Sequence, residues 1–160
     1  MSDAKDRRRI NRVRRFIEPW ADALGLSQSW SIVVGLHDDE DAEAGAGGGW
    51  AHWPTNYKKA TISFDRKTVD AAQDDHLEQY AVHELVHLVI APLDDVMKNQ
   101  IGNTGALWTA YRDAREGITD SITRHLLNAR DAKLLANEVM VYVRDKGEVA
   151  PKIEGRIVSR

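Results

Sequence analysis

The chain of 160 residues is 42% apolar and carries a formal net charge of −3, which suits one ordinary domain with a hydrophobic core. The small net charge argues against a composition built for nucleic acid or for a strongly acidic partner. The chain has no cysteine, which excludes disulfides and thiolate-bound metals and favours a reducing compartment. Its basic start is not followed by an apolar segment typical of a signal or a membrane span. We therefore expect a cytoplasmic protein with no membrane partner.

The first predicted element is an amphipathic helix near the N-terminus. Its apolar residues recur at spacings of three and four: Ile10, Val13, Ile17, Trp20 and Leu24. Pro19 is expected to kink this helix or to begin a second short one. Six arginines, at positions 7, 8, 9, 12, 14 and 15, fall mostly off the apolar stripe. We interpret them as a solvated face and expect no nucleic-acid partner, because a short basic run alone is weak evidence for one.

Three segments then show the composition of strands. Residues 29–36 are rich in β-branched side chains, and residues 50–53 and 58–64 predict a hairpin with its turn at residues 54–56. Residues 37–49 are acidic and then glycine-rich. They lack the ligand pattern of a calcium loop and the ending of a phosphate-binding loop, so they predict a surface loop.

From Val69 onward the periodicity is helical. Pro92 is expected to end the first of these helices, because proline removes a backbone donor and clashes with the preceding turn. Two further helices are predicted over residues 107–127 and 131–145, followed by a polar tail over residues 147–160. Strands followed by helices predict an α+β fold, with an N-terminal helix, a small mixed or antiparallel sheet and C-terminal helices.

The segment AVHELVHLVIA, residues 81–91, combines an apolar helix with three polar groups. At about 100° per residue, His83 and His87 lie one turn apart on one face, with Glu84 on its flank. The apolar residues Val82, Leu85, Val86 and Val89 form a separate stripe that we expect to be buried. The helix thus anchors by one face and presents two imidazoles and a carboxylate on another.

This spacing suits a zinc ion held by two imidazoles, with Glu84 beside a water molecule on the metal. Zinc lowers the pKa of such a water to roughly 7, and a nearby carboxylate can take its proton. Because a catalytic zinc usually has three protein ligands, a third ligand is required.

The best candidate for the third ligand is Glu116, which lies on a later predicted helix. Asp120, one turn further, could accept a hydrogen bond from a zinc-bound histidine and fix its tautomer. Asp113 stays open as a substitute ligand. His125 is about 180° around the helix from Glu116 and is expected to point away. His52 lies on a predicted strand and could line the cleft.

The motifs HELVH at residues 83–87 and EGITD at residues 116–120 resemble those of the gluzincin zinc metallopeptidases. The strands-then-helices layout resembles the minimal members, the minigluzincins and the SprT-like and ImmA-like peptidase domains of prokaryotes and phages. The likeness spans roughly residues 29–130 and is specific only at the two motifs. It implies a single zincin-like metallopeptidase domain, which we assign to residues 1–146.

The resemblance implies that His83, His87 and Glu116 bind one zinc ion and that Asp120 supports a histidine. It implies that Glu84 is the general base, activating a zinc-bound water for peptide-bond hydrolysis. It also implies an extended peptide or protein substrate, bound along an edge strand formed by residues 50–53 or residues 58–64.

Two features of the site stay open in the sequence. The group that stabilises the oxyanion could be any of several residues: Tyr111, His52, Arg112, Tyr57 or Tyr80. Gly117, directly after the third ligand, costs helix stability and suggests close packing against the HELVH helix.

Two alternatives to the peptidase are a zinc-stabilised regulatory or binding module without turnover, and a metal-free scaffold. The basic first helix motivates the module. A latent peptidase, with residues 147–160 in its cleft, is an intermediate form of it.

Overall fold

The computed structural model describes residues 2–38, 49–54 and 58–146, with side chains in residues 4–38, 49–54 and 58–134. The predictions for most of the acidic and glycine-rich loop, for Tyr57 and for the tail after residue 146 lie outside these residues.

An N-terminal helix, a three-stranded mixed sheet and then further helices make up the described chain, which confirms the predicted α+β fold. In chain order the elements are α1 (Ser2–Ala23), β1 (Ser31–His37), β2 (Gly49–His52), β3 (Lys59–Asp65), α2 (Arg66–Ala71), α3 (Asp74–Ile101) and α4 (Gly105–Lys146). The short helix α2 was not predicted as a separate element. Its first turn is closed by Asp65, whose carboxylate accepts a hydrogen bond from the Thr68 backbone N–H at 2.7 Å.

The strand order in the sheet is β1-β3-β2. β3 runs parallel to β1, with Val34 opposite Ile62, and antiparallel to β2, with Ala51 opposite Ile62. The antiparallel pairing of residues 50–53 with residues 58–64 is therefore confirmed, although part of the turn lies outside the described residues. Because β3 is central, only β2 of these two strands presents an open edge, and β2 contacts α3.

The core lies between the sheet and the two helices α1 and α3. Val13 and Ile17 of α1 and Leu85 of α3 are buried against Ile62 and Phe64 of the central strand. Complete burial of such a side chain stabilises the fold by about 1.5–3 kcal/mol. This packing fixes one face of α3 and leaves its HELVH turn beside β2.

Both interior prolines lie within continuous helices. Pro92 lies inside α3, which continues to Ile101, and Pro19 lies inside α1. Each proline is on an exposed part of its helix, where water can bond the carbonyl that loses its N–H partner. The stop expected at Pro92 was therefore wrong.

The two predicted C-terminal helices are one helix. α4 continues through residues 128–130, which contain neither glycine nor proline, to Lys146. The expected burial of Val89 was also wrong, since this side chain is 46% exposed, whereas Val82, Leu85 and Val86 are fully buried.

The chain divides into two compact units, residues 1–124 and residues 125–160. The single domain over residues 1–146 stays a prediction. None of the helices in the described part of the chain combines the length and apolar character that a membrane span requires.

Candidate metal centre

Two histidines of α3 and one glutamate of α4 bring their polar atoms together. The Nε2 atoms of His83 and His87 lie 3.1 Å apart. The Oε2 atom of Glu116 lies 3.4 Å from the first nitrogen and 3.3 Å from the second. The three side chains are close enough to hold a metal ion.

The geometry of these three atoms fits a small tetrahedral cation. A tetrahedral zinc with bonds of about 2.0–2.1 Å separates its ligand atoms by about 3.3–3.4 Å. The observed edges of 3.1, 3.3 and 3.4 Å match that triangle closely. The three atoms are thus spaced as three ligands of such an ion would be.

The electrostatics of the triad also favour a bound cation. Burial of the His83 ring lowers its pKa, but the hydrogen bond to Glu116 and the charges of Glu84 and Asp120 outweigh burial, so the pKa is raised. Hydrogen bonds from His83 and His87, and one from Arg115, hold the pKa of the Glu116 carboxyl well below its usual range. The raised pKa of His83 reflects the carboxylates around it, and the lowered pKa of Glu116 means that its negative charge is stabilised, so an ionised carboxylate faces the two rings.

Asp120 reaches the far side of the His83 ring. Its Oδ1 atom lies 3.0 Å from Nδ1 of His83, a position from which a carboxylate can accept a hydrogen bond from this nitrogen when Nε2 binds a metal. The second histidine lacks such a partner: among the described residues, Nδ1 of His87 is buried without a hydrogen bond. The roles predicted for these residues stay predictions.

Glu84 is buried beside the triad, with a relative exposure of 6%. The Ala51 backbone N–H of β2 hydrogen-bonds its carboxylate. A Cβ atom at Gly49 would lie 3.1 Å from Cγ and 3.2 Å from Oε1 of Glu84, so glycine gives this carboxylate room. Burial raises the pKa of Glu84 against the opposing charges of the two histidines, as in many catalytic carboxylates.

An ion pair between Asp94 and Arg115, which the sequence did not indicate, positions Glu116 through one of its carboxylate oxygens. Asp94 of α3 is fully buried and accepts a hydrogen bond from Arg115 at 2.8 Å. Arg115 also donates to Oε1 of Glu116 at 2.6 Å. Because Oε1 is engaged in this way, Oε2 is the atom presented to the histidines. The wrong stop at Pro92 hid Asp94, which shares the face of His83 and His87 once α3 continues.

The candidates for stabilising the oxyanion differ in position. His52 and Arg112 line the same cavity as the triad, and the His52 ring stacks on Trp50 at a centroid distance of 5.2 Å. Tyr111 does not line the cavity, and its hydroxyl donates to Asp94. Tyr80 is a lining residue.

Neither of the remaining alternatives for the third ligand belongs to the metal-binding group. Asp113 lines the cavity but is not part of the metal-binding group. His125 is exposed and belongs to the second unit.

Gly117 is exposed, and a Cβ there would meet no neighbouring atom within 4 Å. Close packing therefore does not explain this glycine, and nothing else in the structure explains it.

The cavity has a volume of about 710 Å³. Its walls are the edge strand β2, the middle of α3 and the first turns of α4, all in the first unit. The cavity is large enough for several residues of an extended peptide.

Comparisons with protein-family models, with curated proteins and with solved structures found no match for this chain.

Proposed function

We propose that this protein is a zinc-dependent metallopeptidase that hydrolyses bonds in a peptide or protein substrate. The observation that carries the proposal is the convergence of two imidazole nitrogens and a carboxylate oxygen, 3.1–3.4 Å apart, in the cavity that also contains buried Glu84. Two histidines and a carboxylate can also hold iron. The adjacent carboxylate in a HExxH spacing favours zinc and hydrolysis.

His83, His87 and Glu116 would hold the zinc ion. When bound, it supplies a Lewis acid that polarises the scissile carbonyl and lowers the pKa of water to about 7. Asp120 keeps the His83 ring in the tautomer whose Nε2 is free. Arg115 keeps Oε1 of Glu116 occupied, so this carboxylate offers one oxygen.

Glu84 takes a proton from the attacking water and passes it to the leaving amine. Its position is set by the Ala51 N–H and by the room that Gly49 leaves. Since the N–H and C=O of a strand residue point to the same side, the Ala51 carbonyl also lies on the open edge of β2. An extended substrate can hydrogen-bond to this edge as an added strand.

The binding-module alternative draws its support from the basic first helix. Arg9, Arg12 and Arg15 donate to Asp70 or Asp74 of the same molecule. These three cations therefore stabilise the fold, and no observation favours an outside phosphate as their partner. We place the peptidase in the cytoplasm, because the chain has no cysteine and therefore forms none of the disulfides that are typical of oxidising compartments.

The proposal is tested by incubating the zinc-loaded protein with a proteome-derived peptide library and identifying new termini by mass spectrometry. We expect new termini that disappear with a zinc chelator and return when zinc is restored. A library left intact by the zinc-loaded protein would contradict the proposal.

A further inference from the structure

The cavity has a second end, away from the triad, that is aromatic and cationic. Lys98 of α3, Trp108 of α4 and Trp53, next to the end of β2, all line it. This set, called here the Lys98 subsite, takes no part in the chemistry proposed above.

The ammonium group of Lys98 contacts two indole rings. Its Nζ lies 5.8 Å from the centroid of Trp53 and 6.0 Å from that of Trp108. Cation–π contacts of this kind fix the position of a charge without using up its hydrogen-bond donors. No carboxylate in the described part of the chain forms an ion pair with Lys98, so the fold holds a cation that can still accept an anionic partner.

The position of Lys98 on α3 places it in line with the metal centre. It follows His87 by eleven residues, which is about three turns, so the two side chains differ by only about 20° around the helix. Their Cα atoms are about 16 Å apart along an ideal axis. Arg112, one turn before Glu116 on α4, lines the cavity as a second cation.

We propose that the Lys98 subsite binds a carboxylate of the peptide substrate, and so selects acidic peptides. This inference rests on the proposed function, since it names the substrate class of the same cleft. The indole faces of Trp53 and Trp108 cover the aliphatic part of the bound residue, and the Lys98 ammonium donates to its carboxylate.

The distance between the two ends decides where that carboxylate lies in the substrate. An extended peptide advances about 3.3 Å per residue, and a lysine side chain leans toward the N-terminus of its helix and shortens the span. The carboxylate therefore lies roughly three to five residues from the bond that is cut. Either an aspartate or glutamate side chain or the terminal α-carboxylate of a short peptide provides this chemistry.

The test measures peptide binding separately from cleavage. The zinc-loaded Glu84→Gln variant is titrated with alanine-based octapeptides, blocked at both ends, that carry one Glu or one Gln at each position in turn. Binding is followed by calorimetry and by tryptophan fluorescence, which reports on Trp53 and Trp108. An unblocked C-terminus, compared with an amidated one, distinguishes the α-carboxylate from a side chain.

We expect Glu to bind about 5- to 15-fold more tightly than Gln at one or two positions, as for a charge-assisted hydrogen bond in a partly open site. Lys98→Gln should abolish this preference, and Lys98→Arg should retain it. Lys59→Gln removes a matched exposed lysine outside the cavity and should leave the preference unchanged.

Equal binding of Glu and Gln at every position, with free and amidated termini also equal, would overturn the subsite. A preference that survives in Lys98→Gln would overturn it as well. Binding that depends on Lys98, found with a wild-type protein that cleaves no peptide, would overturn the peptidase and leave the subsite standing. Cleavage that is preserved without any preference for acidic peptides would overturn the subsite and leave the peptidase standing.

Discussion

In the cluster that joins α1 to α2 and to the start of α3, each arginine pairs with an aspartate, whereas the metal centre brings two imidazole nitrogens and one carboxylate oxygen together. The first group, called here the α1 ion-pair cluster, consists of Asp6, Arg9, Arg12, Arg66, Asp70 and Asp74. Arg9 donates to both oxygens of Asp70, at 2.8 and 2.6 Å. Every donor in these pairs has an acceptor, so the cluster is electrostatically complete.

The metal centre is not complete in this sense. Two imidazole nitrogens and a carboxylate oxygen face one point, and two nitrogens 3.1 Å apart share at most one proton. Glu84 adds a buried carboxylate whose pKa is raised, mainly by burial. The two regions therefore differ in that the charges of the first are paired within the fold, whereas the polar atoms of the second lie close enough to bind a metal ion.

The largest effect is expected when the buried carboxylate of Glu84 is changed. Glu84→Gln keeps the size of the side chain but cannot accept a proton, so we expect the hydrolysis rate to fall about 10²- to 10⁴-fold. Bound zinc and thermal stability should be retained. Glu18→Gln, an exposed position on α1, is the matched control. Unchanged cleavage in Glu84→Gln would remove Glu84 from its assigned role.

The next effect concerns the ion pair behind Glu116. Asp94→Asn removes the carboxylate that accepts from Arg115, which keeps its second partner Glu116, and losing such a charge-assisted hydrogen bond at a buried position costs about 1.5–3 kcal/mol in the free energy of unfolding. Urea denaturation of the metal-free variant measures this loss, with exposed Asp22→Asn as the control. A loss no larger than in the control would mean that the pair does not stabilise the α3–α4 contact.

A smaller effect is expected at the support of His83. Asp120→Asn keeps the side-chain shape but weakens the hydrogen bond to Nδ1, and such changes lower metal affinity about 10- to 100-fold. Competition with a chromophoric zinc chelator measures the affinity. The control is Asp113→Asn, because Asp113 lines the same cavity but is not part of the metal-binding group. This variant should bind zinc like the wild type. Equal affinities in both variants would contradict the role of Asp120.

The smallest effect belongs to the α1 ion-pair cluster and is seen in how stability depends on pH. Hydrogen bonds from Arg9 and Lys5 hold the pKa of Asp70 well below its usual range, and a hydrogen bond from Arg12 lowers the pKa of Asp74. Because these folded-state pKa values lie below the unfolded value of about 3.9, their stabilisation is present above that pH and is lost as pH falls through the folded values.

Thermal unfolding of the metal-free protein between about pH 7 and about pH 2 measures this loss. In Arg9→Gln the Tm should be slightly lower near neutral pH and should fall less steeply in acid than in the wild type. Parallel curves for the two proteins would show that the pair contributes nothing to acid sensitivity.

The sequence predicts those features that depend on local periodicity. The shared face of His83 and His87 follows from helix geometry alone, and the spacing of Glu116 and Asp120 follows in the same way. The pairing of residues 50–53 with residues 58–64 follows from a short connection. These parts of the fold and site could therefore be predicted from the sequence alone.

The features that were missed depend on contacts between elements. Pro92 was taken as a stop because proline breaks isolated helices, but its exposed position lets α3 continue. That error hid a polar stripe on one face, in which Asp94 and Lys98 follow His83 and His87. The Ala51 N–H contact with Glu84 depends on how β2 meets α3, which no local pattern encodes.

The central claim is a metal site formed by His83, His87 and Glu116, and metal content tests it most directly. The purified protein is dialysed against zinc and analysed for metal beside His83→Ala and Glu116→Ala, with exposed His76→Ala as the control. One zinc per chain in the wild type and the control, lost or weakened in the other two variants, is the predicted result. No zinc in the wild type, or one zinc retained at full affinity in both His83→Ala and Glu116→Ala, would contradict it.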